Sequence, residues 1–146
     1  MDPLAAFDKA FELAERIGGL MRAGLTERGL TPARAGLLLD LHRAGRPLVQ
    51  RELADLLDCT PRHVTALVDV LERDGFLARE PHPSDRRATL VRLTDTGRET
   101  AEWMTGARRA AAEELLGDLE PAALAGFVAV ADRLVGGLAP TRSPAA

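Results

Sequence analysis

Residues 50–80 read QRELADLLDCTPRHVTALVDVLERDGFLARE, and this stretch decides the fold. Leu53, Ala54, Leu56 and Leu57 cluster in its first eight positions, and Asp58–Cys59 break the pattern. Thr60–Pro61 then supplies an N-cap followed by a proline at the first helical position, where its missing N–H costs nothing. Val64, Leu67, Val68 and Leu71 recur at steps of three and four up to Gly75, so one stripe of this helix is buried. A helix of about eight residues, a turn of three or four and a longer helix is the spacing of a helix-turn-helix.

Downstream the period changes. Residues 76–80 and 88–93 read as two strands, separated by the polar, proline-punctuated loop Pro81–Arg87. They form a β-hairpin with a long tip. Thr94 caps the next helix, which runs to about Leu116, with Thr96 and Glu99 as a candidate capping box. Pro121 opens a last helix carrying Leu124, Phe127, Val128, Ala131, Leu134, Val135 and Leu138. Upstream, Leu4, Phe7, Phe11, Ala14, Ile17, Met21 and Leu25 mark one face of a long first helix. Gly18 and Gly19 predict a weak point or kink in it, at roughly 1 kcal/mol each relative to Ala. Thr31–Pro32 starts a second helix that stops at Gly45, and residues 46–49 are short and extended.

The order is helix, helix, helix-turn-helix, β-hairpin, helix, helix. The expected fold is mainly α with a small β-hairpin wing: a winged helix-turn-helix core flanked by N- and C-terminal dimerisation helices. The expected organisation is a single domain over 1–146, with the winged helix-turn-helix core at about 46–98, dimerisation helices at about 3–29 and 95–138, and a disordered tail at 139–146. At 146 residues the chain has the length of one domain. The end helices are too long and too apolar to remain in water, and a chain of this size has little else to cover them. A symmetric homodimer is therefore expected, with Leu4, Phe7, Phe11, Leu124, Phe127, Leu134 and Leu138 at its interface.

Composition sets further bounds. No apolar run approaches the roughly 20 residues of a membrane span. Residues 1–10 carry Asp2, Asp8 and Lys9 and no continuous apolar stretch, so no secretory signal is expected. A single cysteine, Cys59, leaves no intrachain disulfide and no Cys-rich zinc site. Together these predict a cytoplasmic protein without membrane partners. His42, His63 and His82 are scattered and no metal-ligand spacing is present, so no metal or cofactor is expected. No nucleophile–base set, phosphate loop or paired-carboxylate motif points to an enzyme. Trp103 and Met104 read as core or dimer contacts. Cys59, just before the second helix of the motif, reads as a small turn residue rather than an oxidant sensor.

A sharper signal lies at Asp85-x-Arg87-x5-Leu93-Thr94-x2-Gly97. Together with Glu52–Leu53–Ala54, Thr60–Thr65 and Val70–Leu77, this spacing resembles the MarR family, the multiple-antibiotic-resistance-type transcription regulators. The likeness covers about Leu48 to Gly97 in its core. It implies a homodimeric regulator on a pseudo-palindromic double-stranded DNA site, with the recognition helix in the major groove and Arg87 of the wing in the minor groove. It further implies a repressor released when a small apolar, phenolic or anionic effector binds between the dimerisation helices and the winged helix, at residues that remain unknown. An architectural winged-helix protein without an effector is the alternative.

The residues themselves name the candidate DNA-contacting set. Arg62, His63 and Thr65 flank the buried stripe near the start of the recognition helix, the end that reaches base edges in helix-turn-helix docking. Arg can grip a guanine edge in bidentate fashion and Thr can meet an edge or a thymine methyl. Thr60 and Pro61 open that helix, where free N–H groups attract phosphate. Gln50 and Arg51 open the preceding helix. Asp85, Arg86 and Arg87 form the wing tip, and Arg79 and Arg92 lie on its strands as phosphate or solvent contacts. Residues 46–98 hold nine arginines and nine acids, so the net charge of this core is zero and binding must rest on placement. Strong salt dependence is expected.

Overall fold

The computed structural model describes residues 2–138; the tail expected at 139–146 lies outside the described residues. The elements are α1 (Pro3–Thr26), α2 (Pro32–Ala44), β1 (Leu48–Val49), α3 (Gln50–Leu57), α4 (Pro61–Arg73), β2 (Leu77–Pro81), β3 (Thr89–Leu93), α5 (Asp95–Leu116) and α6 (Pro121–Leu138). This is the mainly helical, winged fold that the sequence predicts.

Caps set most boundaries. Thr31 and Thr60 each accept a backbone N–H through the side-chain hydroxyl, from Arg34 at 3.3 Å and His63 at 3.2 Å. Gly45 ends α2 in the left-handed region, with φ 64°. α1 runs as one unbroken helix through Gly18 and Gly19; two glycine penalties do not end 24 residues of helix. The capping box expected at Thr96–Glu99 is also corrected, since both residues lie inside α5. Thr94 does that work instead: its Oγ1 accepts the N–H of Gly97 at 3.1 Å.

The extended stretch before α3 has a role that periodicity did not reveal. β1 adds to the hairpin as a third antiparallel strand, in the order β1-β3-β2. Leu48 pairs with Val91 and Leu77 with Leu93. A two-residue strand carries almost no pattern of its own and is recognised only by its partner.

Packing divides the chain into one unit up to Trp103 and a second from Met104 onward. In the first unit the largest fully buried side chains are Leu37, Leu38, Leu53, Val64, Val68, Leu71, Leu77 and Val91. They come from α2, α3, α4 and the sheet, and each contributes about 1.5–3 kcal/mol of burial. α1 meets α2 and buries only Leu25 of its own residues, leaving Leu4, Phe7 and Phe11 exposed. Phe7 and Phe11 stack edge to face, with ring centroids 5.2 Å apart. The Arg28 guanidinium sits 3.6 Å from the centre of the Trp103 ring.

The junction from α4 through the wing into α5 explains the Leu-Thr-x2-Gly signature. Gly75 has φ 86°, which turns the chain out of α4. Thr94 donates its hydroxyl to the Gly75 carbonyl at 2.6 Å, and its N–H donates to the Phe76 carbonyl at 3.1 Å. A Cβ on Gly97 would lie 2.0 Å from that same Phe76 oxygen, so only glycine fits.

In the second unit, α6 buries no residue; Leu124 and Leu134 are half covered, while Phe127 and Leu138 are exposed. With 18 residues and a mean hydropathy of 1.4, α6 is long and apolar enough to cross a membrane by length and composition. That corrects the expectation that no apolar segment comes close. Asp132 and Arg133 interrupt it.

Candidate nucleic-acid interface

α4 turns its stripe of Val64, Leu67, Val68 and Leu71 inward. Arg62, His63 and Thr65 are thereby left on the exposed side, at the N-terminal end of the helix. Thr60 and Pro61 are exposed beside them, with Thr60 occupied as the cap. The orientation follows from the 3.6-residue period alone.

A hydrogen-bonded chain crosses from this face to the wing. Thr65 Oγ1 donates to the Pro61 carbonyl and accepts Nε2 of Gln50, both at 3.0 Å. Gln50 Oε1 accepts Nε of Arg79 at 3.3 Å. The other guanidinium nitrogens of Arg79 reach Glu72 at 2.9 Å and Asp69. Arg79 N–H also donates to Glu72 Oε2 at 2.8 Å. That backbone bond, followed by the guanidinium, holds the Glu72 carboxyl below the usual carboxylate range. Burial disfavours the charge on Arg79, but its bonds to Asp69 and Glu72 outweigh that and raise its pKa. The sequence marks Arg79 as a cation on a strand; the fold makes it a tie between α3, α4 and β2. Asp69 and Glu72 were missed, because their partner lies seven to ten residues away on another element.

Ion pairing sorts the nine arginines of residues 46–98. Arg46 pairs with Glu52 at 3.0 Å, Arg73 with Asp74 at 3.2 Å, Arg92 with Glu80 at 3.2 Å and Arg98 with Asp95 at 3.4 Å. Arg79 takes Asp69 and Glu72. Within this stretch, four arginines have no ion pair: Arg51, Arg62, Arg86 and Arg87. All four are exposed, at the start of α3, the start of α4 and the wing tip. Exposed pairs add little stability. Their consequence here is to offset five of the nine arginines with six of the nine acids; Asp55, Asp58 and Asp85 make no ion pair, and the four arginines without one stand at those three places. Glu52 makes the same point: Arg46 and then the N–H of Val49 hold its carboxyl below the usual range.

The wing tip is closed by its own polar groups. Asp85 Oδ1 accepts the N–H of Arg87 at 2.9 Å, and the Asp85 carbonyl accepts that of Ala88 at 3.1 Å. His82 Nδ1 accepts the N–H groups of Ser84 at 3.1 Å and Asp85 at 3.0 Å. A recess of about 580 Å³ runs between tip and α3, lined by Gln50, Arg51, His82, Asp85 and Arg87 among others. Among the described residues, no group of three or more His, Cys, Asp or Glu is placed to hold a metal. Cys59 is half-buried in the turn before α4.

A three-stranded wing on a helix-turn-helix, with unpaired arginines at two helix starts and at the wing tip, defines a winged helix-turn-helix protein. Comparison with known proteins narrows the class. Residues 30–89 match the sequence profile of the MarR family. The HTH-type transcriptional repressor YetL of Bacillus subtilis (strain 168) is 31% identical over 100 residues, covering 68% of this chain and 60% of YetL. The crystal structure of transcriptional regulator Tm0710 from Thermotoga maritima superposes with a TM-score of 0.62 at 31% identity, over 90% of this chain and 93% of that one. Streptococcus pneumoniae FabT, solved in complex with DNA, shares the fold with a TM-score of 0.85 at 17% identity, over 94% and 97% of the two chains. The chain belongs to the MarR family. It spans about half to three fifths of the length of curated relatives it matches, 60% of YetL and 47% of the regulator YkoM.

Proposed function

We propose that this chain is a cytoplasmic, sequence-specific DNA-binding transcription regulator, with no catalytic activity. It works as a homodimer on a pseudo-palindromic operator, as a repressor released by a small apolar, phenolic or anionic effector. The core at about 46–98 binds DNA, and the helices at about 3–29 and 95–138 join the two copies. The observation that carries the reading is the sorting of charge: nine arginines balance nine acids, yet the four without ion pairs lie at the start of α3, the start of α4 and the wing tip. A surface that is neutral in sum and positive at those points suits a phosphate backbone.

In this reading α4 enters the major groove. Arg62 takes a base edge, and His63 and Thr65 flank it. Arg51 and the helix start at Thr60 and Pro61 hold phosphates. Arg86 and Arg87 reach the minor groove, with Asp85 orienting the Arg87 backbone. Gln50 and Arg79 act from behind by holding Thr65. The uncovered apolar residues of α1 and α6, Phe7, Phe11, Phe127 and Leu138 among them, belong to the dimer. Effector release rests on the family likeness and on relatives named as repressors.

The test is a titration of Arg62→Ala and Arg87→Ala against a duplex selected from a random pool by the wild-type protein, and against its single-base variants, at two salt concentrations. Arg62→Ala relaxes preference at one base in each half-site, a discrimination of about 1–3 kcal/mol. Arg87→Ala weakens binding to many sequences and lowers the salt slope by roughly one unit. Retention of full affinity and preference by both variants refutes the assigned surface. A footprint that spreads along DNA instead of covering one short site supports an architectural protein. A panel of phenolic and hydrophobic acids that leaves melting temperature and DNA binding unmoved refutes the effector.

A further inference from the structure

One histidine ring accepts two of the backbone N–H groups at the wing tip. Pro81 and Pro83 flank His82 and have no N–H to donate. Two of the N–H groups that close the tip, those of Ser84 and Asp85, end on Nδ1 of His82, at 3.1 and 3.0 Å. Asp85, so placed, holds the N–H of Arg87 at 2.9 Å. Order thus passes from His82 to Asp85 to Arg87. A backbone N–H can only donate, so Nδ1 must offer a lone pair and the ring carries its proton on Nε2. Imidazolium has a hydrogen on both nitrogens, so Nδ1 could accept neither N–H; the Ser84 hydroxyl, 3.4 Å away, is the one neighbour there able to accept instead.

We propose that His82 is a positioning residue of the wing: its unprotonated Nδ1 shapes the tip that presents Arg87, and protonation of the ring opens the tip and weakens the wing's hold on DNA. The second clause rests on the DNA-binding role assigned above. Charged groups face the ring from both sides of the recess. α3 brings Arg51 and Glu52, whose carboxyl is bonded to Arg46 and, least among its neighbours, feels the His82 ring. The wing brings Asp85 and Arg87. Histidine ordinarily changes charge between about pH 5 and 8, while carboxylates do so near about pH 4.

The experiment compares the full-length wild-type chain with His82→Asn and His82→Ala at pH 8.0 and 5.5. The Asn carboxamide oxygen can accept the same two N–H groups as an Asx turn and does not titrate. Nitrogen-15 NMR of the free protein follows the His82 ring and the amides of Ser84, Asp85 and Arg87. The expected result is a proton on Nε2 alone at pH 8.0, with all three amide signals moving as the ring gains its second proton. On the selected duplex, wild type loses about 5- to 10-fold more affinity between pH 8.0 and 5.5 than His82→Asn does, and His82→Ala is weak at both. Comparison within the same chain removes any contribution of His63, which is present in all three proteins. Ser84 and Asp85 amides that stay fixed while the ring titrates overturn the proposal. Amides that move while wild type and His82→Asn keep the same affinity ratio overturn instead the assignment of the wing to DNA.

Discussion

The centre and the ends of this chain carry the same kind of sequence signal and meet different fates. α4 shows apolar residues at helical spacing, and Val64, Leu67, Val68 and Leu71 are buried within the chain. α1 and α6 show stripes as regular; α1 buries only Leu25 and α6 nothing. Phe11 is 58% exposed and Phe127 54%. Periodicity identifies a face that must be covered and is silent about what covers it. Scattered apolar residues on a surface are ordinary, but two whole helical faces are not.

The largest effect is expected in the centre. Leu38→Ala removes a fully buried side chain, and a loss of about 2–5 kcal/mol in chemical denaturation is the expected outcome. Phe127→Ala should cost the folded chain under about 0.5 kcal/mol and act on association instead. Wild-type melting temperature should therefore rise with protein concentration, and a Phe11→Ser/Phe127→Ser chain should lose that dependence. A wild-type melting temperature independent of concentration, together with a monomer at micromolar concentration in sedimentation, would break the contrast.

Gly97→Ala comes next, at about 3 kcal/mol, because the new Cβ meets a backbone oxygen that cannot rotate away. Gly106→Ala on the same helix meets nothing within 4 Å and should be neutral or gain up to about 1 kcal/mol. Equal effects would show that the α4–wing–α5 junction is looser than drawn.

Arg79→Ala should cost about 1–2 kcal/mol by leaving Asp69 and Glu72 without their shared partner. DNA binding should weaken in parallel, since Gln50 and Thr65 lose their tie. The smallest effect is one of pH. Glu52 and Glu72 have lowered pKa values in the folded chain, so the stability they add is present above the unfolded carboxylate value of about 4.3. It is lost as pH falls through the folded values. Denaturation midpoints between pH 6 and 3 should fall less in Glu72→Gln than in wild type; an equal fall would remove Glu72 from the account.

Much of this could be read from the residues alone. Thr31–Pro32, Thr60–Pro61 and Gly45 are local signals, because a cap is satisfied within three or four residues. The exposed face of α4 follows from its buried stripe, and Asp85-x-Arg87 identified the wing tip. Thr96–Glu99 looked like a cap and was not, because the helix had already begun at Asp95.

What the tertiary structure decided is everything set by partners distant in sequence. β1 became a strand through Leu48 opposite Val91, 43 positions away. Gly97 is required by the Phe76 carbonyl, not by its own helix. Nine arginines against nine acids is a balance that composition can count and cannot sort. Which five are paired, and which four are left at two helix starts and the wing tip, depends on side chains brought within about 4 Å by folding. Coulomb attraction between exposed groups is spent within one Debye length, about 8–10 Å, so charge placement is a property of the folded surface.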